Sequence, residues 1–326
     1  MTWSAVDWSA LDRLRELFLK SEPVQETYWR SESDLASYDF TFAQRIAWKW
    51  DAALQELGRL SWEPPPGPLL DWGCGSGVAS RCVIDAFGAD RFMEVRLHDR
   101  STLAMNFARQ RALQRFPSIN AQIDPTGTAT ATTLVVSHVL NELHRDDLPR
   151  LLDAINVAQC VLWLEPGTFA VSRGLVSLRE QLRKTFYVVA PCPHRKPCGL
   201  LPPEKDRDWC HFFAKAPSDA FTDGLWVRFG QRMGIDLRSL PYSWLVLDRR
   251  PVAEWTPDRG RVLGLAELFK PYARAEICRQ ESTGRMEIQK RTHGEIYRQL
   301  KQVPPPPEIN LTGVPNASKV GRPPIT

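Results

Sequence analysis

The stretch GPLLDWGCGSGVAS (67–80) decides the fold. An apolar run ends at Asp71, and in the loop that follows glycine stands at every second position, at Gly73, Gly75 and Gly77. Such a loop lets the backbone turn tightly and approach a ligand closely. A helix that begins directly after it presents unpaired N–H groups to the same place. The stretch therefore predicts a strand, a ligand-binding loop and a helix in succession.

Strand-like and helix-like segments alternate on the carboxyl side of this loop. The further apolar runs that suit buried strands are FMEVRLHD (92–99), ATTLVVSHV (131–139) and QCVLWLEP (159–166). Helical patterns follow the strands at 77–87, 101–114, 146–157 and 170–186. Alternation of this kind predicts an α/β fold with a doubly wound, mostly parallel sheet.

An acidic residue at the end of the second strand is the next feature of a nucleotide-type site. Asp99 stands there, 28 residues after Asp71, and is placed to hydrogen-bond ribose hydroxyls. A nicotinamide dinucleotide fold spaces its glycines as GxGxxG, whereas this chain reads D-x-G-x-G-x-G. That spacing resembles the first motif of class I S-adenosylmethionine-dependent methyltransferases. A dinucleotide site and a plain glycine-rich turn are the alternatives.

The chain divides into five predicted segments. The linker SWEPPPGP breaks any helix and separates an N-terminal helical region, 1–64, from a cofactor-binding methyltransferase core, 65–186. A cysteine-rich metal-binding insertion follows at 187–215. Residues 216–301 complete the sheet and add a β segment, and 302–326 form a Pro-rich tail that we expect to be disordered.

Composition narrows the class of protein. With 326 residues, 43% of them hydrophobic and 25% charged, the chain suits a soluble globular fold. It contains no apolar run long enough for a membrane span. Its amino terminus has neither an apolar signal region nor the acid-free, Arg-rich character of a presequence, so we expect a cytoplasmic protein. A net charge of +4 is compatible with a nucleic-acid partner but does not indicate one.

The segment SHVLNEL (137–143) ends the fourth strand, where methyltransferases of this class place groups that contact the substrate. Ser137, His138, Asn141 and Glu142 are candidates for the pocket wall, although Asn141 and Glu142 equally suit the start of the next helix. The chain lacks the Asp/Asn-Pro-Pro-aromatic tetrapeptide of amino-methylating enzymes and the paired cysteine motifs of pyrimidine C5 methyltransferases. The sequence therefore leaves the catalytic residues unassigned.

Three cysteines fall within nineteen residues of a basic, Pro-rich stretch: Cys192, Cys198 and Cys210. Three thiolates and one further ligand hold either a tetrahedral zinc ion or a cubane iron–sulfur cluster. His194 and His211 are candidates for a mixed zinc site, but the first two cysteines are farther apart than is common in zinc knuckles. A metal site is favoured, and unligated thiols are the alternative.

Several motifs together resemble a known family. DWGCGSG, SHVLNEL, WLEPGT (163–168), APCPH with WCHF (190–212), and a late single cysteine are similar to the methyltransferase-like proteins of the mitochondrial small ribosomal subunit and their bacterial homologues. The resemblance runs from about residue 30 to about residue 300. APCPH and WCHF are its most specific parts, because many families share the glycine-rich loop.

The resemblance implies ligands and partners that spacing alone does not. It implies that Cys192, Cys198, Cys210 and Cys278 ligate a [4Fe–4S] cluster, and that the small ribosomal subunit or its RNA is the partner during assembly. Two departures weaken the comparison. Gly199 stands where the family has proline after the second cluster cysteine, and the segment before Cys278 is only loosely similar.

Three functions compete on this reading. The chain is an S-adenosylmethionine-dependent RNA methyltransferase, a catalytically inactive RNA-binding assembly factor, or a zinc-bearing methyltransferase of small molecules. The oligomeric state is open, with a monomer favoured, and no membrane partner is expected. Basic residues near the cysteines are candidates for phosphate contacts, with a solvated surface as the alternative; they are Arg195, Lys196, Lys205, Arg207 and Lys215.

Overall fold

The computed structural model describes residues 2–19, 28–144, 146–280 and 282–314. The chain forms two compact units, one made of Met1–Glu165 with Ala214–Leu240 and the other of Pro166–Phe213 with Pro241–Thr326. The units do not coincide with the five predicted segments. In particular, residues 214–240 group with the first unit, whereas the sequence placed 216–301 in one segment.

The helices are α1 (Trp8–Phe18), α2 (Glu32–Phe40), α3 (Phe42–Arg59), α4 (Val78–Phe87), α5 (Thr102–Arg115), α6 (Leu148–Val157), α7 (Phe169–Leu182), α8 (Asp219–Thr222), α9 (Gly224–Met233) and α10 (Gly294–Leu300). The strands are β1 (Leu69–Trp72), β2 (Glu94–His98), β3 (Asn120–Ile123), β4 (Thr133–Ser137), β5 (Cys160–Pro166), β6 (Tyr187–Ala190), β7 (Phe212–Ala214), β8 (Leu240–Asp248), β9 (Arg259–Leu268), β10 (Tyr272–Cys278), β11 (Thr283–Gln289) and β12 (Glu308–Asn310).

The first unit is built on a parallel sheet in the order β3-β2-β1-β4-β5. Helices α4, α5 and α6 connect its strands, which confirms the predicted fold class: an α/β, Rossmann-like sheet of the class I methyltransferase type. All four residues of β1 are buried, as parallel strands covered on both faces require. Because the strands are parallel, β1, β2 and β4 end at one edge of the sheet, where doubly wound folds bind ligands.

The N-terminal helices begin at residues with capping side chains. Asp7 accepts a hydrogen bond from Ala10 N at the start of α1, and Ser31 does the same for Asp34 N at the start of α2. An aromatic and aliphatic cluster that includes Leu11 packs α1, α3 and α9 together. The predicted helical region before the core is therefore helical in the parts that the structure describes.

The second unit contains an antiparallel sheet in the order β11-β10-β9-β12, and β6 pairs antiparallel with β8, which also pairs with β7. Strands β6 and β7 lie in the stretch 187–215 that the sequence left irregular. No helix in the described ranges is long and apolar enough to cross a membrane.

The predicted disorder of 302–326 is wrong for its first part. Residues Glu308–Asn310 form β12 and pair with β9, and Ile309 and Leu311 are each only 1% exposed. These two side chains, with Val314, complete the apolar core of the antiparallel sheet, a contribution that the surrounding prolines hid in the sequence. The rest of the predicted tail, residues 315–326, lies outside the described residues.

Candidate functional site

Asp71 links β1 to the helix that follows the glycine loop through hydrogen bonds with Ser80. It is the penultimate residue of β1 and fully buried, and its Oδ2 accepts hydrogen bonds from the Ser80 hydroxyl at 2.6 Å and from Ser80 N at 3.2 Å. Its Oδ1 has no hydrogen-bond partner among the described residues. Burial, opposed by the Ser80 hydrogen bonds, raises the pKa of Asp71 to about 6. In this position Asp71 holds the first turn of α4 against β1.

The three glycines of the loop adopt left-handed backbone angles, with φ of +77° at Gly73, +51° at Gly75 and +74° at Gly77. A Cβ at Gly73 would lie 2.6 Å from a methyl carbon of Val139. A Cβ at Gly75 would meet no described atom within 4 Å, so this glycine is required by its backbone angle alone.

Asp99 follows β2 and binds the loop directly. Its Oδ2 accepts from Gly75 N, and its Oδ1 accepts from Ser101 N, both at 2.9 Å. Burial raises the pKa of this carboxyl, against the two backbone hydrogen bonds. Each carboxylate oxygen has further lone-pair capacity, so Asp99 can also accept a hydroxyl. The structure thus joins Asp71, the glycines and Asp99 at one edge of the sheet, as the sequence indicated.

A cavity opens beside this loop. It encloses about 970 Å³ of empty space, part of it open to solvent. Ser137, His138 and Glu142 line it opposite the glycines, whereas Asn141 is exposed and is not among its lining residues. The cavity also has an aromatic wall, formed by Tyr28, Trp29, Tyr38 and Trp72.

His138 stands at the end of β4 in a strained conformation. Its φ is +57°, which non-glycine residues rarely adopt outside functional sites and tight turns. Its Nε2 lies 3.3 Å from Lys49 Nζ and its Nδ1 lies 3.3 Å from Ser137 Oγ. The indole N–H of Trp50 donates to the same Ser137 Oγ at 3.0 Å. These four side chains form one hydrogen-bonded chain.

Lys49 and Trp50 are the members of this hydrogen-bonded series that the sequence analysis did not identify. Lys49 lies on α3 and is only 7% exposed. The available signal was its position, because Lys49 falls on the same helix face as the buried Ile46 and Ala53. Burial first, and then the nearby Arg45, lowers the pKa of Lys49 to about 7.

Two buried glutamates complete the site. Glu142 accepts a hydrogen bond from the Tyr28 hydroxyl at 2.9 Å, and burial raises the pKa of Glu142 to about 7. Glu165, on β5, accepts from the backbone N–H groups of Val139 and Leu140 at 3.0 and 3.2 Å. Burial raises the pKa of Glu165 to about 7 as well. Glu165 therefore fixes the backbone that follows His138.

The four predicted cluster cysteines all belong to the second unit and lie near one another. The pKa of the Cys210 thiol is raised, first by burial and then by the charges of Cys192, Cys198 and Cys278. Burial and the neighbouring thiols also raise the pKa of Cys198 to about 11 and that of Cys278 to about 12. The fold thus brings Cys278, the residue most distant in sequence, to the other three.

A buried arginine organises the loop that carries two of these cysteines. Arg179, on the last turn of α7, donates from Nε to Cys192 Sγ at 3.1 Å. Its Nη2 donates to the His194 carbonyl at 2.8 Å, and its Nη1 donates to the Lys196 carbonyl at 3.0 Å and to Glu180. The arginine was not identified from the sequence, because nothing in its helical context marks it.

The two histidines differ in their relation to the cysteines. His194 Nε2 lies 3.8 Å from Cys278 Sγ, whereas His211 stacks on Trp209 with ring centroids 4.5 Å apart. Across residues 2–19, 28–144, 146–280 and 282–314, no three His, Cys, Asp or Glu side chains are arranged to hold a metal ion.

The basic residues near the cysteines serve different contacts. Lys205 forms an ion pair with Glu276 at 2.9 Å, and Arg195 donates to the carbonyl groups of Arg183 and Phe186. Arg207 and Lys215 are exposed. Lys196 also has an interaction partner within the protein, so at least three of the five candidates for phosphate contacts are engaged there.

Comparison with known proteins identifies one family model, described as mitochondrial small ribosomal subunit Rsm22, which matches residues 41–304. That range is well over half of the chain. No curated protein matches the sequence significantly.

Among solved structures, the chain is similar to plantazolicin methyltransferase in complex with S-adenosylhomocysteine (10% identity, TM-score 0.41, 74% of this chain and 100% of that one). It is also similar to magnesium protoporphyrin IX methyltransferase of Synechocystis with bound S-adenosylmethionine (12% identity, TM-score 0.39, 76% of this chain and 94% of that one). A third similar structure is that of a candidate RNA methyltransferase of Pyrococcus horikoshii (12% identity, TM-score 0.39, 73% of this chain and 97% of that one). None of these likenesses identifies a substrate.

Proposed function

The chain belongs to the Rsm22 family of the mitochondrial small ribosomal subunit, and from this premise we propose that it binds the small ribosomal subunit or its RNA during assembly as an S-adenosylmethionine-dependent methyltransferase. The observation that carries the cofactor assignment is the hydrogen bond from Gly75 N to Asp99 beside an open cavity. Its cytoplasmic location and monomeric state stay predictions from the sequence.

The residues around the cavity fit this cofactor. A Cβ at Gly75 would meet no described atom within 4 Å, so the backbone there is open to a ligand. Asp99 retains lone pairs for ribose hydroxyls, and Trp72 offers an apolar wall whose indole N–H has no partner among the described residues. When bound, the cofactor supplies a methyl group on a positively charged sulfur, and Gly73, Gly75, Gly77, Asp71 and Asp99 would hold it.

Cofactor binding is tested by titration calorimetry with S-adenosylmethionine. We expect Asp99→Ala to lower the affinity at least about tenfold, because it removes both the ribose acceptor and the acceptor of Gly75 N–H. The exposed Asp153→Ala is the matched control. Equal affinity in the two variants would exclude Asp99 from the cofactor site.

We also propose a [4Fe–4S] cluster on Cys192, Cys198, Cys210 and Cys278, with zinc as the alternative. The charges of neighbouring cysteines help to raise the pKa values of Cys198, Cys210 and Cys278, and this proximity of the cysteines supports the proposal. The ligands of a cubane bind different irons, so the four sulfurs need not converge on one ion. The guanidinium of Arg179 beside Cys192 suits a thiolate, because it offers a charge-assisted hydrogen bond.

Anaerobic purification with iron, sulfide and zinc analysis tests the cluster. About four irons and four sulfides per chain, with a brown colour, are expected for the cubane. Cys198→Ser should lose most of the iron, whereas Cys82→Ser, in the first unit, should keep it. Colourless protein with about one zinc, or with no metal, contradicts the cluster.

Ribosomal function is tested with immature small-subunit particles and S-adenosylmethionine that carries a labelled methyl group. The proposal predicts co-sedimentation with the particles and label in the RNA, lost in Asp99→Ala. Binding without label would instead make the protein an assembly factor without turnover. Absence of binding would overturn the ribosomal assignment.

A further inference from the structure

We propose that Ser137, His138 and Lys49 form a proton relay that takes the proton from a hydroxyl or ring N–H group as that group receives the methyl. The inference rests on the proposed methyltransferase function and names the class of acceptor. It gives a chemical role to Ser137 and His138 at the carboxyl end of β4, where the sequence left the catalytic residues unassigned.

The relay begins with the contacts of Ser137. Its hydroxyl oxygen accepts the indole N–H of Trp50 at 3.0 Å and lies 3.3 Å from His138 Nδ1. Ser137 and His138 both line the cavity beside the glycine loop. The other ring nitrogen, His138 Nε2, lies 3.3 Å from Lys49 Nζ. A continuous path therefore leads from the cavity wall to a buried amine.

The hydrogen-bond donors and acceptors of Ser137, His138 and Lys49 allow two protonation states of this relay. A charged Lys49 has only donors, so His138 Nε2 must accept, and the proton of the neutral ring lies on Nδ1 and points to Ser137 Oγ. Ser137 then receives two hydrogen bonds, and its own hydroxyl proton is available to the cavity. A neutral Lys49 can accept from Nε2–H. Nδ1 then accepts the Ser137 proton, and Ser137 turns a lone pair to the cavity.

The charges around Lys49 allow both states near neutral pH. Burial and Arg45, on its own helix, favour the neutral amine and lower the pKa of Lys49 to about 7, whereas Glu165 on β5 opposes them. The pKa of His138 is lowered by burial, by Lys49 and by Arg45, so the imidazole stays neutral. Protonation of Lys49 thus selects the tautomer of His138 without charging it.

The neutral state completes the methyl transfer. The acceptor proton passes to Ser137 Oγ, the Ser137 proton passes to His138 Nδ1, and the Nε2 proton passes to Lys49 Nζ. The electron pair freed on the acceptor forms the bond to the methyl carbon, and the pair of the broken carbon–sulfur bond stays on sulfur. Ser137 contacts the acceptor; His138 and Lys49 act through it and are positioning residues.

The backbone supports this assignment. A φ of +57° is strained for a non-glycine residue and persists where the surroundings enforce it. Here His138 N donates to Leu164 O at 2.9 Å, and Glu165 binds the N–H groups of Val139 and Leu140. The imidazole is therefore held between Lys49 and Ser137.

Nitrogen NMR of the histidine rings tests the relay in the cofactor-free protein. The chain has six histidines, and His138→Gln assigns the signal. Between pH 6 and 9 we expect the His138 tautomer to change from Nδ1–H to Nε2–H. In Lys49→Arg the guanidinium stays charged, so the Nδ1–H tautomer should persist throughout. The exposed Lys270→Met should behave as the wild type.

A single tautomer across this range in the wild type, or an unchanged switch in Lys49→Arg, would overturn the relay. Should Lys49→Arg fail to fold, Ser137→Ala keeps the Lys49–His138 pair. It should retain the NMR switch while slowing methyl transfer by about 100-fold, the low end for general base catalysis; transfer at the wild-type rate would overturn the relay. Because the titration is read on the free protein, its failure is distinct from a failure to bind ribosomal particles.

Discussion

Asp71, the penultimate residue of β1, has one carboxylate oxygen hydrogen-bonded to Ser80 and the other without a partner among the described residues. Its pKa is about 6 in the folded protein, against 3.8 for an ordinary aspartate. A raised pKa means that the folded state binds the proton more tightly than the unfolded chain. The resulting stability is present below about pH 3.8 and is lost as the pH rises through about 6.

Asp71→Asn should therefore become more favourable relative to the wild type as the pH rises. Asparagine keeps an acceptor for Ser80 and never ionises, so the difference in free energy of unfolding should shift by about 2–3 kcal/mol between pH 4 and 7. Urea unfolding at several pH values measures it. The exposed Asp153→Asn should show no such shift, and a pH-independent difference for Asp71→Asn would refute the prediction.

Gly73 and Gly75 require glycine for different reasons: both have a left-handed backbone angle, but only Gly73 also lacks space for a side chain. Gly73→Ala should lower stability more than Gly75→Ala, because only the Cβ at Gly73 meets Val139, at 2.6 Å. Both variants carry a backbone cost of about 1–2 kcal/mol for the left-handed region. In a Val139→Ala background the extra cost of Gly73→Ala should shrink, as a double-mutant cycle by thermal unfolding would reveal. An unchanged cost would exclude this contact as its cause.

At the scale of residues, the sequence predicted those side chains of the candidate site that lie within or next to a recognisable motif. Asp71 and Asp99 lie at the carboxyl ends of strands whose apolar runs are visible, one residue before the end of β1 and one residue after the end of β2, so their position at the sheet edge follows from the pattern. Tyr28 lines the same cavity and Lys49 contacts His138 on its wall, both from N-terminal elements that share no motif with the loop. Their placement depends on tertiary packing, which no local pattern records.

At the scale of elements, buried parallel strands were predictable and polar or isolated ones were not. Strand β3 reads NAQI, and its residues alternate between exposed and covered positions at the end of the parallel order, so no apolar run marks it. Strand β12 has three residues and gains its stability from pairing with β9. Short strands of this kind depend on a partner that is remote in sequence.

Strand β12 is predicted to stabilise the antiparallel sheet. Ile309→Ala should lower the free energy of unfolding of the second unit by about 2–5 kcal/mol, because Ile309 is 1% exposed within its apolar core. Thermal unfolding, or proteolysis under native conditions, measures the change. Val303→Ala is the control, since Val303 is 71% exposed. Equal effects of the two changes would show that β12 adds nothing to the core.

At the scale of the whole molecule, the two candidate sites fall in different units. The glycine loop and its cavity lie within Met1–Glu165, and the four cysteines lie in the second unit. The sequence predicted the cofactor core and the cysteine-rich stretch as separate segments. It could not predict that residues 214–240 return to the first unit, because that grouping depends on contacts such as the cluster that joins Phe229 to Leu11.

This division predicts that the two ligands bind independently. Cys198→Ser should leave the affinity for S-adenosylmethionine within about twofold, because the two sets of ligand residues belong to different units and have no residue in common. Asp99→Ala should likewise leave the iron content unchanged. Calorimetry and iron analysis of both variants decide the matter, and the loss of both ligands in either variant would contradict it.

Arg179 bears on the kinetics with which the cysteines would acquire the proposed metal. Its guanidinium holds Cys192 and two carbonyl groups of the following loop through hydrogen bonds. A lysine, with one ammonium on a flexible stem, could not make these contacts in the same planar arrangement. These hydrogen bonds constrain the backbone of the loop through protein groups alone. We expect loading to be first order in the donor of the metal, with a rate set by encounter and not by a slow folding step of the recipient.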